Sequence, residues 1–167
     1  MSIPYKENKE GYTIQEFMKL AINFEKQNKV EADSPEEWIW EMERKYWIDY
    51  VEHQKEDPVE VEYIADLETD VYGSGFPKEG NDPYLNHPWN LNNIRRAKGS
   101  FLDFDSCSEV MQKWISGLTV PWIYMGMQYS TFCWHYEDLM LYSLNYMHLG
   151  GSKVWYSIPG PERKRFE

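Results

Sequence analysis

Apolar residues recur at helical spacing early in the chain, at Phe17, Leu20, Ala21 and Phe24. Thr13 stands before this run and Glu16 inside its first turn, the pairing of a capping box. Together they predict a helix over 14–27, with its apolar stripe facing a core. Ser34-Pro35-Glu36-Glu37 is a second helix start, with serine at the N-cap, proline at the first helical position and acids in the first turn. Trp38, Met42, Lys45 and Tyr46 carry it toward Tyr50. The polar residues before Gly11 read as a frayed end. Two helices packed against a sheet is the simplest arrangement.

The pattern then changes period. Val59-Glu60-Val61-Glu62-Tyr63 alternates apolar and acidic residues, as a half-buried strand does. Gly73-Ser74-Gly75-Phe76-Pro77 has glycines that permit positive φ, and reads equally as a surface turn or a functional loop. Residues 78–88 are rich in Gly, Asn, Asp and Pro and predict a loop; Asn90 and Asn92 are expected to bond local backbone. Residues 100–105 alternate as a short strand, and 107–114 predict a turn or short helix. Four further strands are expected over 119–129, 130–138, 142–149 and 153–158, the last two joined by Gly150-Gly151 as a hairpin turn. Helices followed by strands argue an α+β fold with an antiparallel sheet.

Composition narrows the class. The 167 residues are 42% hydrophobic and 17% aromatic, enough for a packed domain and unlike a disordered chain. Lysine and arginine number 17 against 28 acids, a net charge of −11, which argues against direct phosphate binding and suits a basic partner. Cys107 and Cys133 form neither a disulfide framework nor a zinc site, and Cys133 is expected to be a buried thiol. Without a signal core or an apolar run of membrane-spanning length, a soluble intracellular protein is expected.

The chemistry concentrates in STFCWHYEDLMLYSLNYMHLGGSKVWY, from Ser130 to Tyr156. Residues two apart on a strand share a face, so His135 and Glu137 would aim an imidazole and a carboxylate at one point. Two of the three ligands of a 2-His-1-carboxylate iron site come in this way. The competing reading is a satisfied core histidine beside a partly exposed glutamate. His53 and His87 lie in charged or loop sequence and are read as solvated, not as ligands.

The block SGLTVPWIYMGMQYSTFCWHYEDLMLYSLNYMHLGGSKVWYSIPG resembles the first half of a JmjC domain, the catalytic domain of Fe(II)- and 2-oxoglutarate-dependent histone lysine demethylases. VEYIADLETDVYGSGFP and WNLNNI are similar to the JARID subfamily, which acts on lysine 4 of histone H3. The resemblance runs from about Gly11 to the end. It implies a double-stranded β-helix (cupin-like) barrel, here incomplete, with 1–88 a helical and linker region packing on the core and 89–167 the first half of the domain.

By resemblance, His135 and Glu137 are the iron ligands. Lys153 pairs with the distal carboxylate of 2-oxoglutarate, and Tyr124 hydrogen-bonds the same group. Asn145 contacts the end nearer the metal, Phe132 and Trp155 are apolar walls, and Ser143 is a further polar contact. Tyr63 and the GSGFP loop lie on the substrate side. The implied reaction is oxidative N-demethylation, which consumes 2-oxoglutarate and oxygen and yields succinate, CO₂, formaldehyde and demethylated lysine. The implied partner is the histone H3 tail in chromatin, with no nucleic-acid binding by this segment, and the implied compartment is the nucleus.

The family's third ligand, a second histidine, lies well downstream of the H-x-E pair. Here only His148 follows, at a position that is not the ligand in the family. The sequence therefore reads as a fragment that does not turn over methyl-lysine alone; succinate production by the purified 167-residue chain would contradict that. Two other readings stay open: a JmjC hydroxylase acting on a side-chain carbon, and an inactive cupin-like module that binds chromatin or a partner.

Overall fold

The computed structural model describes residues 11–53, 56, 58–94, 99–100 and 115–167. The expected features at 1–10, most of the 100–105 strand, and the 107–114 element with Cys107 lie outside them. Two compact units emerge, one from the chain up to Glu60 together with Thr131–Glu167, the other from Val61–Ser130.

The first unit opens with α1 (Ile14–Gln27). The capping box forms as the sequence predicts: Glu16 N–H donates to Thr13 Oγ1 at 3.2 Å, and Thr13 N–H donates to Glu16 Oε2 at 2.8 Å. Phe17 is buried, Ala21 and Phe24 are half-buried, and Leu20 is exposed, so the core-facing stripe is narrower than expected. Helix α2 (Pro35–Lys45) starts on the Ser34 side chain, which accepts from the Glu37 N–H at 3.1 Å. It continues as a π-helical segment, Tyr46–Glu52, in which Tyr46 stacks on buried Tyr50 at 5.4 Å between ring centroids. Residues 131–167 complete the unit. Their only helical turns are Asp138–Met140, Gly160–Glu162 and α4 (Arg163–Phe166).

The second unit is built on an antiparallel ribbon of β1 (Tyr63–Glu68) and β2 (Trp122–Gly126). Tyr63 lies opposite Gly126, and Glu68 opposite Trp122, with a bulge between Ile64 and Leu67 where Asp66 takes a φ of 59°. A short helix, α3 (Thr69–Tyr72), follows β1 and ends at Gly73, φ 77°. The ribbon begins later than the alternation at Val59 suggested. Its partner strand ends at Gly126, where Met127–Ser130 turns away, and the Ser130 hydroxyl takes the Glu62 carbonyl at 2.9 Å in place of a ladder bond.

Loop 73–94 is organised by Asn90, which is 2% exposed. Its Nδ2 lies 2.9 Å from the Pro77 carbonyl and 3.2 Å from those of Tyr84 and Leu85, and its Oδ1 accepts from Asn92 N–H at 3.0 Å. Asn90 thus bonds backbone nearby, at Tyr84, Leu85 and Asn92, whereas the Asn92 side chain reaches the Phe76 carbonyl at 3.3 Å, sixteen residues back. The Trp122 ring lies over Gly117, whose φ is 75°. A Cβ there would stand 2.5 Å from Trp122 Cζ2, so only glycine fits.

Helices with a two-stranded antiparallel sheet bear out the α+β expectation and fit an incomplete cupin-like domain. Three expected strands do not form. Residues 130–138, 142–149 and 153–158 carry no ladder pairing among the described residues, and of 119–129 only Trp122–Gly126 is a strand. A strand exists only where another chain segment accepts its hydrogen bonds, and β2 alone finds one, in β1.

Candidate active site

The site residues are gathered by turns, not by a sheet. His135 and Glu137 converge, with Nε2 and Oε1 3.8 Å apart. Two ligand atoms about 2.1 Å from one ion lie at most ~4 Å apart, so one ion can take both. His135 Nδ1 lies 2.8 Å from the Cys133 carbonyl. A carbonyl only accepts, so Nδ1 carries a proton, and Nε2 is the ring nitrogen that faces the carboxylate. Cys133 is exposed, correcting the buried thiol expected; its contribution to the site is a backbone oxygen.

After Glu137 the chain reverses through Asp138–Met140, where Leu139 and Met140 both take a φ of 55°. Two successive non-glycine residues in the left-handed region are strained, and they bring Ser143 back to the site. Ser143 Oγ donates to Glu137 Oε1 at 2.8 Å, so this serine first engages the carboxylate. A second reversal at Leu149–Gly151, with Gly150 at φ 102°, sets Lys153 Nζ 3.4 Å from Asn145 Oδ1. The chain bends at Gly150-Gly151, but no ladder flanks it, so the expected hairpin does not form. Asn145, Met147, Ser152, Lys153 and Trp155 line an open cavity of about 460 Å³. That size accepts a small polar ligand. Phe132 packs on Trp155 at 4.6 Å between centroids, and its edge meets the His135 ring at 5.9 Å.

Ser143, Glu137, His135, Phe132 and Trp155 thus form one chain of contacts within one unit, and Trp155 shares the cavity lining with the Asn145–Lys153 pair. Tyr124 and Tyr63 belong to the other unit, where their rings stack at 6.1 Å and 18°. Burial first, then the nearby Asp66 charge, pushes the Tyr63 hydroxyl above its ordinary pKa. Among the described residues no group of three His, Cys, Asp or Glu is placed to hold a metal. The donor types present, one imidazole nitrogen and one carboxylate oxygen, are those of two positions of a 2-His-1-carboxylate iron site.

Sequence reasoning missed the residues that hold this site from outside. Tyr156 donates its hydroxyl proton to Glu43 and accepts from Trp47 Nε1 at 2.9 Å; Tyr46 and Thr131 hydroxyls meet at 3.0 Å. Burial first, then the Glu43 hydrogen bond, raises the Tyr156 pKa. No local pattern could pair residues so far apart in the chain.

Residues 122–167 match the family model described as JmjC domain, hydroxylase. They belong to the JmjC family. The match begins at β2 and takes in the whole contact chain from Phe132 to Trp155. Relatives extend the likeness upstream of the JmjC segment. The lysine-specific demethylase JMJ703 of Oryza sativa subsp. japonica is 44% identical over 166 residues, 93% of this chain and 13% of the relative. Lysine-specific demethylase JMJ17 of Arabidopsis thaliana is 45% identical over 138 residues, 76% of this chain and 11% of the relative. Lysine-specific demethylase rbr-2 of Caenorhabditis briggsae is 43% identical over 136 residues, 75% and 9%. The chain therefore spans a small part of the length of each.

Proposed function

We propose that this chain is the front part of the catalytic domain of a JARID-like, Fe(II)- and 2-oxoglutarate-dependent lysine demethylase acting on histone H3, with lysine 4 as the site. The observation that carries this is the convergence of His135 and Glu137 at 3.8 Å, in one contact chain with the cavity that Lys153 and Asn145 line. The likeness to proteins named lysine-specific demethylases supports the reaction class. The net charge of −11 suits a basic histone tail. A nuclear, chromatin-bound protein follows from that substrate.

Bound iron with 2-oxoglutarate would supply the oxidation of the N-methyl group. The chain's own part is orientation and charge. His135 Nε2 and Glu137 Oε1 would hold the metal, the Cys133 carbonyl keeps the His135 proton on Nδ1, and Ser143 fixes the Glu137 rotamer. The Lys153 ammonium would pair with the distal carboxylate of 2-oxoglutarate through a charge-assisted hydrogen bond. Asn145 sits beside it and would orient the nearer end. Phe132 and Trp155, packed on each other, would form an apolar wall beside the ligand.

The test uses the full-length native protein, purified with iron and 2-oxoglutarate and given trimethyl-lysine 4 H3 peptide. Loss of methyl groups with formaldehyde and succinate release, abolished by His135→Ala, is the expected result. A peptide that gains one oxygen but keeps its methyl groups would make it a hydroxylase. Neither product, and no binding of 2-oxoglutarate, would make it a binding module.

A further inference from the structure

We propose that Glu43, Tyr46 and Trp47 are positioning residues: the end of α2 and its π-helical continuation grip both ends of the site segment, at Thr131 and Tyr156, and so hold Trp155, which lines the cavity, and Phe132, which packs on it.

The contacts fall in a pattern. Thr131 and Tyr156 turn to the helix, and their immediate neighbours Phe132 and Trp155 turn to each other at 4.6 Å. At one end, the Tyr46 hydroxyl meets the Thr131 hydroxyl at 3.0 Å. Tyr46 is itself fixed by stacking on Tyr50, which is 6% exposed. At the other end, the Tyr156 hydroxyl donates to the Glu43 carboxylate and accepts from Trp47 Nε1–H at 2.9 Å, while the Trp47 and Tyr156 rings meet edge to face at 5.3 Å. A hydrogen bond to a carboxylate is stronger than a neutral one.

Residues 131–137 and 152–158 make no ladder bonds among the described residues, so these side-chain contacts must offset the cost of ordering them. The grip coincides with the change from α to π hydrogen bonding at Tyr46, and π-helical turns recur where a helix serves a site. Lys153 and Trp155, which line the cavity, lie within three residues of Tyr156, so loosening Tyr156 loosens the wall.

The effect on 2-oxoglutarate rests on the function proposed above; the ordering of the two segment ends does not. The test takes the full-length protein with Tyr156→Phe, Tyr46→Phe, the two together and Glu43→Gln, and Glu36→Gln as an exposed control on the same helix. Two readouts are taken: amide hydrogen exchange over 131–135 and 153–156, and 2-oxoglutarate affinity by calorimetry with Mn(II) as the metal. Tyr156→Phe should speed exchange over 153–156 and weaken 2-oxoglutarate about three- to tenfold, the scale of one or two hydrogen bonds. Glu43→Gln, which keeps an acceptor, should retain most of the affinity. Exchange rates in the double variant equal to wild type would overturn the proposal, as would faster exchange with unchanged 2-oxoglutarate affinity. If wild type binds no 2-oxoglutarate, the proposed function fails, and the exchange rates alone decide the grip. Unchanged far-UV circular dichroism in Tyr156→Phe separates a loosened wall from an unfolded chain.

Discussion

Ser143 Oγ donates to Glu137 Oε1 at 2.8 Å, while the same Oε1 stands 3.8 Å from His135 Nε2. One carboxylate oxygen therefore carries both the supporting hydrogen bond and the direction of metal approach. Removing the supporter of a ligand typically weakens metal binding by about 10- to 100-fold. Ser143→Ala should weaken Fe(II) or Mn(II) binding by about tenfold, read by metal titration, and Ser143→Thr should recover most of it. Equal affinity in Ser143→Ala would mean that the serine does not orient the ligand.

Lys153 is the cation of the cavity, beside Asn145 at 3.4 Å. A hydrogen bond to a charged group contributes about 1.5–3 kcal/mol, so Lys153→Met should raise the 2-oxoglutarate dissociation constant roughly 10- to 150-fold. Metal binding should stay near wild type. A matched loss of both would point to collapse of the turn at Gly150 and not to a lost carboxylate partner.

Asn90 is a structural prediction in the other unit. Truncation to alanine removes the donor of the Pro77 carbonyl and frees the Asn92 N–H, while the Tyr84 carbonyl keeps the His87 N–H and the Leu85 carbonyl keeps Asn93 Nδ2. The expected loss is about 3 kcal/mol, within the range for orphaned buried polar groups. Chemical denaturation of Asn90→Ala against wild type checks it, and a change below about 1 kcal/mol would show that the loop holds itself.

The pH dependence follows from tyrosines. Burial is the leading cause that raises the pKa of Tyr50, Tyr63 and Tyr156. A raised pKa means the folded state favours the neutral phenol. That stability is fully present below the ordinary tyrosine value of about 10 and is lost as pH rises through the higher folded values. The melting temperature should therefore fall above about pH 10, and Tyr156→Phe should fall less steeply. A fall of equal slope in the variant would assign the effect to the other two.

The elements governed by neighbours in the chain were legible beforehand. The Thr13 capping box, the Ser34–Pro35 start and the bounds of α1 depend on groups within one helical turn, and they stand where the sequence predicts. The bonds of Asn90 to the Tyr84 and Leu85 carbonyls close within six residues, while its bond to Pro77 and that of Asn92 to Phe76 span 13 and 16. The strands after Ser130 were misread because alternation shows only that a segment suits a pleated, half-buried surface, not that a partner strand is present. The burial of Cys133 was misread for a similar reason: apolar neighbours in sequence do not guarantee a covering layer in space.

The sequence by itself determined the candidates: the H-x-E spacing, the serine, the asparagine and the lysine after Gly-Gly. Only the tertiary structure decided what each one touches. It put Ser143 on Glu137, the Cys133 carbonyl on His135, and Glu43, Tyr46 and Trp47 on the two ends of the site segment. The reason is physical. Backbone turns and caps close within a few residues, whereas the contacts that aim a side chain are made with groups whose separation along the chain is set by the fold.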